Sequence, residues 1–275
     1  MIQFVNNFHN REQQALIFNL SQTTIREVNY YTKFVCEMES AIISSIKFDD
    51  PYTWENKLFL TIDFDWAHDD VLNDTIDLVE SLQLSATWFV THDTPLIQRL
   101  SKNSKFELGL HPNFDHLLAG RDQVGTNAQN IIDNLLNIIP NSKCVRGHSL
   151  TNSSKLQNFY RSRDITHDAN VYIPSSANIS LKPWQIWNGL TIVPHCWEDD
   201  IFCTFKDRGH TEPHIRNHIK KDNLTVVGFH PIHIYLNTET MSRYENTRLI
   251  HKDPPQLLRH RFEGYGIRSI LCDLC

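Results

Sequence analysis

Short apolar runs alternate along the chain with longer stretches in which apolar residues recur every three or four positions. The short runs predict β-strands, and the longer stretches predict amphipathic α-helices. Strands that alternate with helices predict a mostly parallel sheet, which is either open or closed into a barrel. The eight strand-like runs are 57–64, 85–91, 106–111, 143–147, 170–174, 190–195, 224–230 and 267–274.

The number of strand–helix units favours the closed form. About 220 residues carry seven or eight such units, which is typical of a β/α barrel. Residues 1–55 do not share the alternation, and their pattern predicts a mainly helical segment. We therefore expect an N-terminal helical extension over 1–55 that packs onto an α/β barrel domain over 56–275.

Composition and charge exclude several classes of partner. Of the 275 residues, 40% are hydrophobic and 21% are charged, and the net charge is −6 with no long basic run. Neither a nucleic acid nor an anionic membrane surface is therefore expected as a partner. No apolar stretch approaches the ~20 residues of a membrane span, and the N-terminus lacks the basic start and apolar core of a signal peptide. The expected location is the cytoplasm, without membrane insertion.

Histidine is unusually frequent, with 15 residues in the chain. Neutral imidazole binds Zn²⁺ and similar ions, and histidine is also the usual acid or base near neutral pH. Histidines that follow strand-like runs are therefore candidates for a metal or catalytic site. Five of them do so: His111, His148, His195, His230 and His233.

Two aspartates end the first strand-like run, KLFLTIDFD. Residues two apart share one face of a strand, so Asp63 and Asp65 project together from the strand end. Two carboxylates this close repel each other unless their roles differ. One can bind a metal while the other stays free as a base, or one can stay protonated.

Polar residues follow five of the predicted strands at the point where each strand ends. In a parallel barrel all of these ends open onto one face, which is the usual active-site face. The convergence of carboxylates, imidazoles and one arginine predicts a functional polar site there. The residues are Asp63, Asp65, His111, Arg146, His148, His195, Trp197, Glu198, Asp199, His230 and His233.

The order and content of these motifs resemble the NodB-homology polysaccharide deacetylases, carbohydrate esterase family 4. The chain offers TIDFD, LGLHPNF, VRGHS, CWEDD and GFHPIHIYLN in the order that the family has, although Phe64 separates the family's aspartate pair. HPNF, RGHSL and HPIHIYLNT resemble a divergent WbmS-like branch associated with O-antigen and other surface-polysaccharide gene clusters. Over roughly 57–274, the resemblance implies a distorted (β/α)7–8 barrel, a divalent metal and hydrolytic N- or O-deacetylation of sugars.

Zinc is the first expectation for the implied metal, with Co²⁺, Ni²⁺ and Mn²⁺ as alternatives, and Asp65 and His111 are its expected ligands. The family pairs two histidines four residues apart. Here the next histidine is His116, five residues on and about 140° around a helix from the starting face. His148 is the other candidate for the third ligand, while Asp115 has the better spacing.

The chemistry of the groups suggests a role for each of the others. Asp63 can take the proton of water as a general base, and Arg146 would orient it and keep it ionised. His230 would protonate the leaving amine or alcohol, held by Glu198 or Asp199.

Four residues are candidates for contacting the substrate: Asn113, Trp197, Glu198 and His233. The flat ring of Trp197 suits the C–H face of a sugar, but a core tryptophan is equally compatible with the pattern. His233 either lines the pocket or packs beneath it.

These inferences favour a metal-dependent deacetylase that acts on a sugar. A cytoplasmic location implies a nucleotide- or lipid-linked sugar precursor as the substrate rather than a finished polymer. Two alternatives stay open. One is a catalytically inactive barrel that binds a glycan or a partner enzyme, and the other is a hydrolase of small non-sugar amides.

Overall fold

The structure is a computed structural model, and it describes residues 38–121, 127–207, 215, 219 and 222–275. The chain divides into two compact units, Met1–Met38 and Glu39–Cys275. The helices predicted for 1–37 lie outside the described residues. Residues 39–55 carry a short strand and two 3₁₀ turns, Ile43–Ser45 and Pro51–Thr53.

A mostly parallel sheet forms the centre of the second unit. The strands are β1 Glu39–Ser40, β2 Lys57–Asp63, β3 Ala86–Val90, β4 Phe106–Leu110, β5 Cys144–Val145, β6 His167–Asp168, β7 Trp184–Gln185, β8 Thr191–Ile192, β9 Trp197–Glu198 and β10 Thr225–Phe229. They follow one another in the order β7-β8-β6-β5-β4-β3-β2-β10-β9, and β1 pairs with the start of β2. Among these described strands, only β7 and β8 pair in the antiparallel sense.

One segment, 190–198, joins the two ends of this curled sheet. Its first half pairs with β6, and the amide of His195 then donates to the carbonyl of Val171 at 2.9 Å. Its second half turns to the opposite end of the sheet, where the amide of Cys196 donates to Val226 at 3.0 Å and β9 pairs with β10. The main-chain pairing therefore runs around a ring, and the expected distorted barrel is confirmed.

Helices connect the strands, as the apolar spacing predicts. The first begins at Asp69, where the ring nitrogen of His68 accepts a hydrogen bond from the amide of Asp70 and so caps the helix. The described helices are α1 Asp69–Ser81, α2 Leu96–Lys102, α3 Asp115–Leu118, α4 Ala128–Ile138, α5 Ser154–Ser162, α6 Asp199–Asp207, α7 Pro231–Leu236, α8 Met241–Thr247, α9 Pro254–Leu258 and α10 Ile267–Cys272.

Two strand predictions are wrong. The run 267–274 forms helix α10, because Ile267, Ile270 and Leu271 recur at helical spacing and are buried together. The strand expected at 170–174 lies earlier, at β6. The chain beyond it makes only an isolated bridge between Tyr172 and His195.

Buried apolar side chains fill both sides of the strands, as expected for a parallel sheet covered by helices. In β2, every residue after Lys57 is buried. None of the helices in the described part of the chain combines the length and apolar character needed to cross a membrane.

The barrel interior is tight at Gly109 on β4. A Cβ atom there would lie 2.6 Å from the Phe89 ring and 2.8 Å from Cys144 Sγ. We expect Gly109→Ala to lower the free energy of unfolding by about 1–3 kcal/mol, since inserting a methyl group overpacks the core. Chemical denaturation measures the change. Gln98→Ala, on the exposed surface of α2, is the control and should be nearly neutral. Equal stability of the two variants would contradict the packing described here.

Candidate active site

The polar residues predicted from five strand ends gather at the rim, the edge of the barrel where the parallel strands end. Six of them line a cavity of about 270 Å³, which we call the main pocket. The pocket walls include residues from β2, from the segment after β5 and from the start of α6. Its lining residues are Asp63, Asp65, His111, Gly147, His148, Ser149, Leu150, Glu198, Asp200, Ile201 and His230.

Two strained turns shape the walls of this pocket. Asp65 and Trp66 have φ of 44° and 53°, and Ser149 and Leu150 have φ of 54° and 53°. Asp tolerates this left-handed region, but a tryptophan or leucine there is strained. Consecutive strained residues at one pocket indicate that the surrounding structure holds the Asp65 side chain in a defined position.

Asp63, at the end of β2, pairs with Arg146. The Nη1 atom of Arg146 lies 3.1 Å from Asp63 Oδ1 and donates a hydrogen bond to it. The other carboxylate oxygen of Asp63 lies 3.8 Å from Nε2 of His111. Asp63 is almost fully buried, so the guanidinium group compensates a carboxylate that has little contact with water.

Arg146 itself is fully buried, which is rare for an arginine. It donates from Nη1 to Thr61 Oγ1 at 2.9 Å and from Nε to the carbonyl of Ala169 at 3.2 Å. Its guanidinium carbon lies 4.8 Å from the centre of the Phe89 ring, within the range of a cation–π contact. These contacts fix the guanidinium group and, through it, the orientation of Asp63.

Asp65, His111 and His148 bring three possible ligand atoms within 4.8 Å of one another. Asp65 Oδ1 lies 3.1 Å from His111 Nε2 and 3.3 Å from His148 Nδ1. Burial raises the pKa of Asp65, but hydrogen bonds with the two histidines outweigh it and hold this pKa well below its ordinary value. The amide of His148 donates to the carbonyl of Pro112 at 2.9 Å, which anchors His148 beside His111.

The tautomer of His111 shows what this group can hold. Its Nδ1 lies 2.7 Å from the carbonyl oxygen of Arg146, and a carbonyl only accepts, so Nδ1 carries a proton. In the neutral ring Nε2 then bears a lone pair, and it faces an oxygen of the Asp65 carboxylate. Two acceptors at 3.1 Å are compatible only with a cation or a proton between them. The donor set of one carboxylate and two imidazoles suits a divalent ion of the zinc type.

His230 also lines the main pocket, beside Asp65. Its Nδ1 is 2.6 Å from Asp199 Oδ1, and its amide donates to the other oxygen of the same carboxylate at 2.7 Å. Burial lowers the pKa of His230, but the Asp199 carboxylate outweighs that effect and raises it well above the ordinary value. Its Nε2 lies 3.6 Å from Asp65 Oδ2. His230 therefore presents a proton to the site.

Glu198 and Asp200 add two further carboxylates. Glu198 lies 2.7 Å from His195 Nε2, a close charge contact whose angles are not those of a hydrogen bond. Burial raises the pKa of Glu198, but His195 and Arg146 outweigh it and bring the pKa down to about 2. For Asp200, burial raises the pKa to about 7 even though His230 opposes the rise.

Several residues predicted for the site lie elsewhere. His116 is exposed on α3, outside the group of three ligand atoms. The Asn113 side chain accepts from the amide of Asp115 at 2.7 Å, which orders the turn before α3. Trp197 is buried and packs against Phe202 and Phe229, so it is a core residue and not a surface for a sugar.

His233 is buried beneath the site, where its ring meets that of His230 at 5.8 Å between centroids. Sequence reasoning missed four residues that line a cavity together with His233, namely Trp66, Tyr244, His251 and Lys252. Trp66 directly follows the aspartate motif and could have been noted. The other three follow the last strand and carry no pattern that marks them as functional.

Comparisons with known proteins give one family and one close structure. A family model described as WbmS-like polysaccharide deacetylase matches residues 60–248. The chain is 41% identical to a protein of known crystal structure, WbmS from Bordetella bronchiseptica, assigned as a polysaccharide deacetylase involved in O-antigen biosynthesis. The match has a TM-score of 0.80 and covers 86% of this chain and 96% of that chain.

A second structure is far more distant. A protein from Mycobacterium smegmatis, also assigned as a polysaccharide deacetylase, is 14% identical over 71% of this chain and 82% of that chain. Its TM-score of 0.42 is too low to support an argument. None of the curated proteins matches the chain.

The burial of His233 predicts a pH-dependent stability. Burial lowers the pKa of His233 to about 4 against an ordinary value of 6.5, and His230 and His251 add to the shift while Asp199 and Asp65 oppose it. Between these two values the unfolded chain binds more protons at this position, so stability falls as the pH falls. From pH 7.5 to 5 we expect His233 to contribute a loss of about 2 kcal/mol.

Urea denaturation of the parent and of His233→Gln at both pH values measures this contribution. The variant should lose less stability than the parent on acidification. A parallel loss in both proteins would mean that His233 does not titrate differently on unfolding.

Proposed function

Because the chain belongs to the WbmS-like polysaccharide deacetylases, we propose that it is a metal-dependent hydrolase that removes an acetyl group from an N- or O-acetylated sugar. In this proposal Asp65, His111 and His148 hold a divalent ion, with zinc as the first expectation. Asp63 is the general base, Arg146 orients it, and His230 is the general acid.

One observation carries the proposal. Nδ1 of His111 is occupied by its hydrogen bond to the carbonyl of Arg146, so Nε2 faces the Asp65 carboxylate at 3.1 Å, and the imidazole of His148 lies 3.3 Å from the same oxygen. Ligand atoms that converge in this way lower the stability of the folded protein unless a cation binds between them. The proposed base Asp63 and the proposed acid His230 lie beside this site, so a bound cation would act together with them in hydrolysis.

The chemistry follows from the positions of these groups. When bound, a divalent ion supplies a Lewis acid that polarises the substrate carbonyl and lowers the pKa of water. Asp63, hydrogen-bonded to Arg146, takes a proton from the attacking water. His230 gives its proton to the leaving nitrogen or oxygen, since Asp199 keeps the ring charged and oriented. The base and the acid both line the main pocket together with Asp65, so both can reach a substrate bound there.

The substrate class rests on the family and on the assignment of the Bordetella relative to O-antigen biosynthesis. We take a precursor of a surface polysaccharide, linked to a nucleotide or a lipid, as the substrate. The main pocket, about 270 Å³, is close to the lower end of the ~300–1,000 Å³ that ligand pockets usually occupy, which suits an acyl group and part of one sugar. The cytoplasmic location expected from the sequence stays a prediction.

Removal of a proposed ligand should remove the metal. We expect Asp65→Ala, His111→Ala and His148→Ala each to lower the bound zinc of purified protein from about one equivalent to a small fraction, because two ligands fix an ion poorly. Elemental analysis after dialysis against zinc measures the stoichiometry. His116→Ala is the matched control, since His116 is an exposed histidine outside the group, and it should keep the parent's zinc.

The same measurements distinguish the proposed deacetylase from the inactive barrel and from the hydrolase of non-sugar amides. Full zinc in the His148 variant would make the proposed ligand set wrong. A parent protein that binds no divalent ion would favour the inactive barrel that binds a glycan or a partner enzyme. A metal-loaded protein that releases acetate from small amides and from no sugar would favour the non-sugar hydrolase.

An experiment can distinguish whether Asp63 acts as a base or as a metal ligand. Asp63→Asn keeps the shape of the side chain but cannot accept a proton, so we expect a ~10²–10⁴-fold loss of turnover with the zinc content unchanged. Acetate release from acetylated sugars and elemental analysis measure the two quantities on the same samples. Loss of zinc together with activity would show that Asp63 is a ligand.

A further inference from the structure

A second cavity, of about 210 Å³, adjoins the main pocket, and we call it the side pocket. The two cavities share Asp65, Asp200 and His230 as lining residues. Beyond these three, the side pocket is lined by residues of α7, α8 and the segment before α9, together with the turn after β2. Those used below are Trp66, His233, Met241, Tyr244, His251 and Lys252.

The catalytic groups are divided unequally between the two cavities. The proposed base Asp63 and the histidines His111 and His148 line only the main pocket. The proposed acid His230 lines both. Because His230 also lines the side pocket, which Asp63 does not, a group that takes the proton of His230 can lie in the side pocket.

We propose that the side pocket binds the sugar that leaves in the reaction, while the main pocket holds the acyl group. This inference rests on the proposed function. In the hydrolysis, the oxygen of water adds to the acyl carbon, one proton of water goes to Asp63, and the bond from the acyl carbon to the nitrogen or oxygen of the sugar breaks. The proton of His230 goes to that nitrogen or oxygen. The products are acetic acid, which ionises in water, and a sugar amine or alcohol, and the proton on Asp63 returns through solvent to His230.

The walls of the side pocket have the two kinds of surface that a sugar requires. Trp66 and Met241 provide apolar surface for the C–H groups of a ring. Tyr244, Lys252 and Asp200 provide donors and an acceptor for hydroxyl groups. A pocket with apolar walls and a few convergent polar groups is the usual form of a small-molecule site.

Tyr244 is held rigidly at this wall. Its ring lies 4.9 Å from that of His233 and 4.7 Å from that of His251, so two imidazoles pack against it. Among the described residues, none hydrogen-bonds its hydroxyl group, although the residue is half-buried. A phenol that is held in place and has no partner among these residues is suited to donate to a hydroxyl of the bound sugar.

Lys252 connects the side pocket to the strained turn at Asp65 and Trp66. Its ammonium group donates to the carbonyl oxygen of Trp66, the residue that follows Asp65. This bond uses one of its three donors and helps to fix the Trp66 wall. The same side chain thus holds the wall and borders the space proposed for the sugar.

Tyr244→Phe tests the assignment, because it removes the hydroxyl and keeps the ring between its two imidazoles. The zinc-loaded enzyme is assayed with two probes, UDP-N-acetylglucosamine and 4-nitrophenyl acetate. The leaving group of the second probe lacks sugar hydroxyls. We expect kcat/KM for the sugar to fall roughly 2- to 10-fold, the usual effect of one neutral hydrogen bond, with less than a twofold change for the ester. Met241→Trp, which fills the side pocket, should lower kcat/KM for the sugar more strongly.

Tyr52→Phe is the matched control, because Tyr52 is 91% exposed on the 3₁₀ turn Pro51–Thr53. An equal loss on both probes in Tyr244→Phe, or no loss on the sugar in either pocket variant, would overturn the assignment. If the parent releases acetate from no acetylated sugar, the proposed function itself fails. Saturation-transfer NMR with UDP-N-acetylglucosamine then tests whether the side pocket binds the sugar. Binding that both variants weaken supports this assignment, and unchanged or absent binding overturns it.

Discussion

The buried guanidinium group of Arg146 is the interaction on which the rest of the site depends. A fully buried charge is costly unless acceptors and a counter-charge lie close by. Here the acceptors come from separate strands: Thr61 and Asp63 from β2, and the carbonyl of Ala169 just after β6. Nη2 of the same guanidinium group has no hydrogen-bond partner among the described residues. The remaining contacts join β2 to the segments after β5 and β6, so the curl of the sheet and the orientation of Asp63 depend on the same side chain.

The other residues of the candidate site are placed from this centre. Nδ1 of His111 donates to the carbonyl of Arg146, which turns Nε2 toward Asp65. Asp65 lies on a left-handed turn that Lys252 braces through the carbonyl of Trp66. His230 is fixed independently, by both oxygens of Asp199. The donor atoms are thus oriented by main-chain carbonyls and buried carboxylates, which move little when a ligand binds.

Much of this arrangement could be predicted from the sequence, because parallel strands place their ends at one rim. The apolar runs locate β2, β3, β4 and β10 closely, and the polar residues after them do lie together. The pattern failed where spacing is ambiguous, as at 267–274, whose apolar residues also suit a helix. It also failed for Trp197, because a tryptophan beside acidic residues looks the same in sequence whether it faces solvent or the core. The side pocket could not be predicted, since α8 and the segment before α9 meet the rim only through tertiary packing.

The ring of strands has a consequence for how the protein is made. β2 lies in the middle of the sheet, yet its partner β10 begins at Thr225, so these neighbours are synthesised far apart in time. Segment 190–198 cannot join both ends of the sheet until β10 has left the ribosome. Until then the nascent chain exposes an unpaired apolar edge on β2, and contacts this distant in sequence form slowly. The time between the synthesis of β2 and of β10 is therefore the interval in which the unfinished barrel is most exposed to aggregation and most in need of a chaperone.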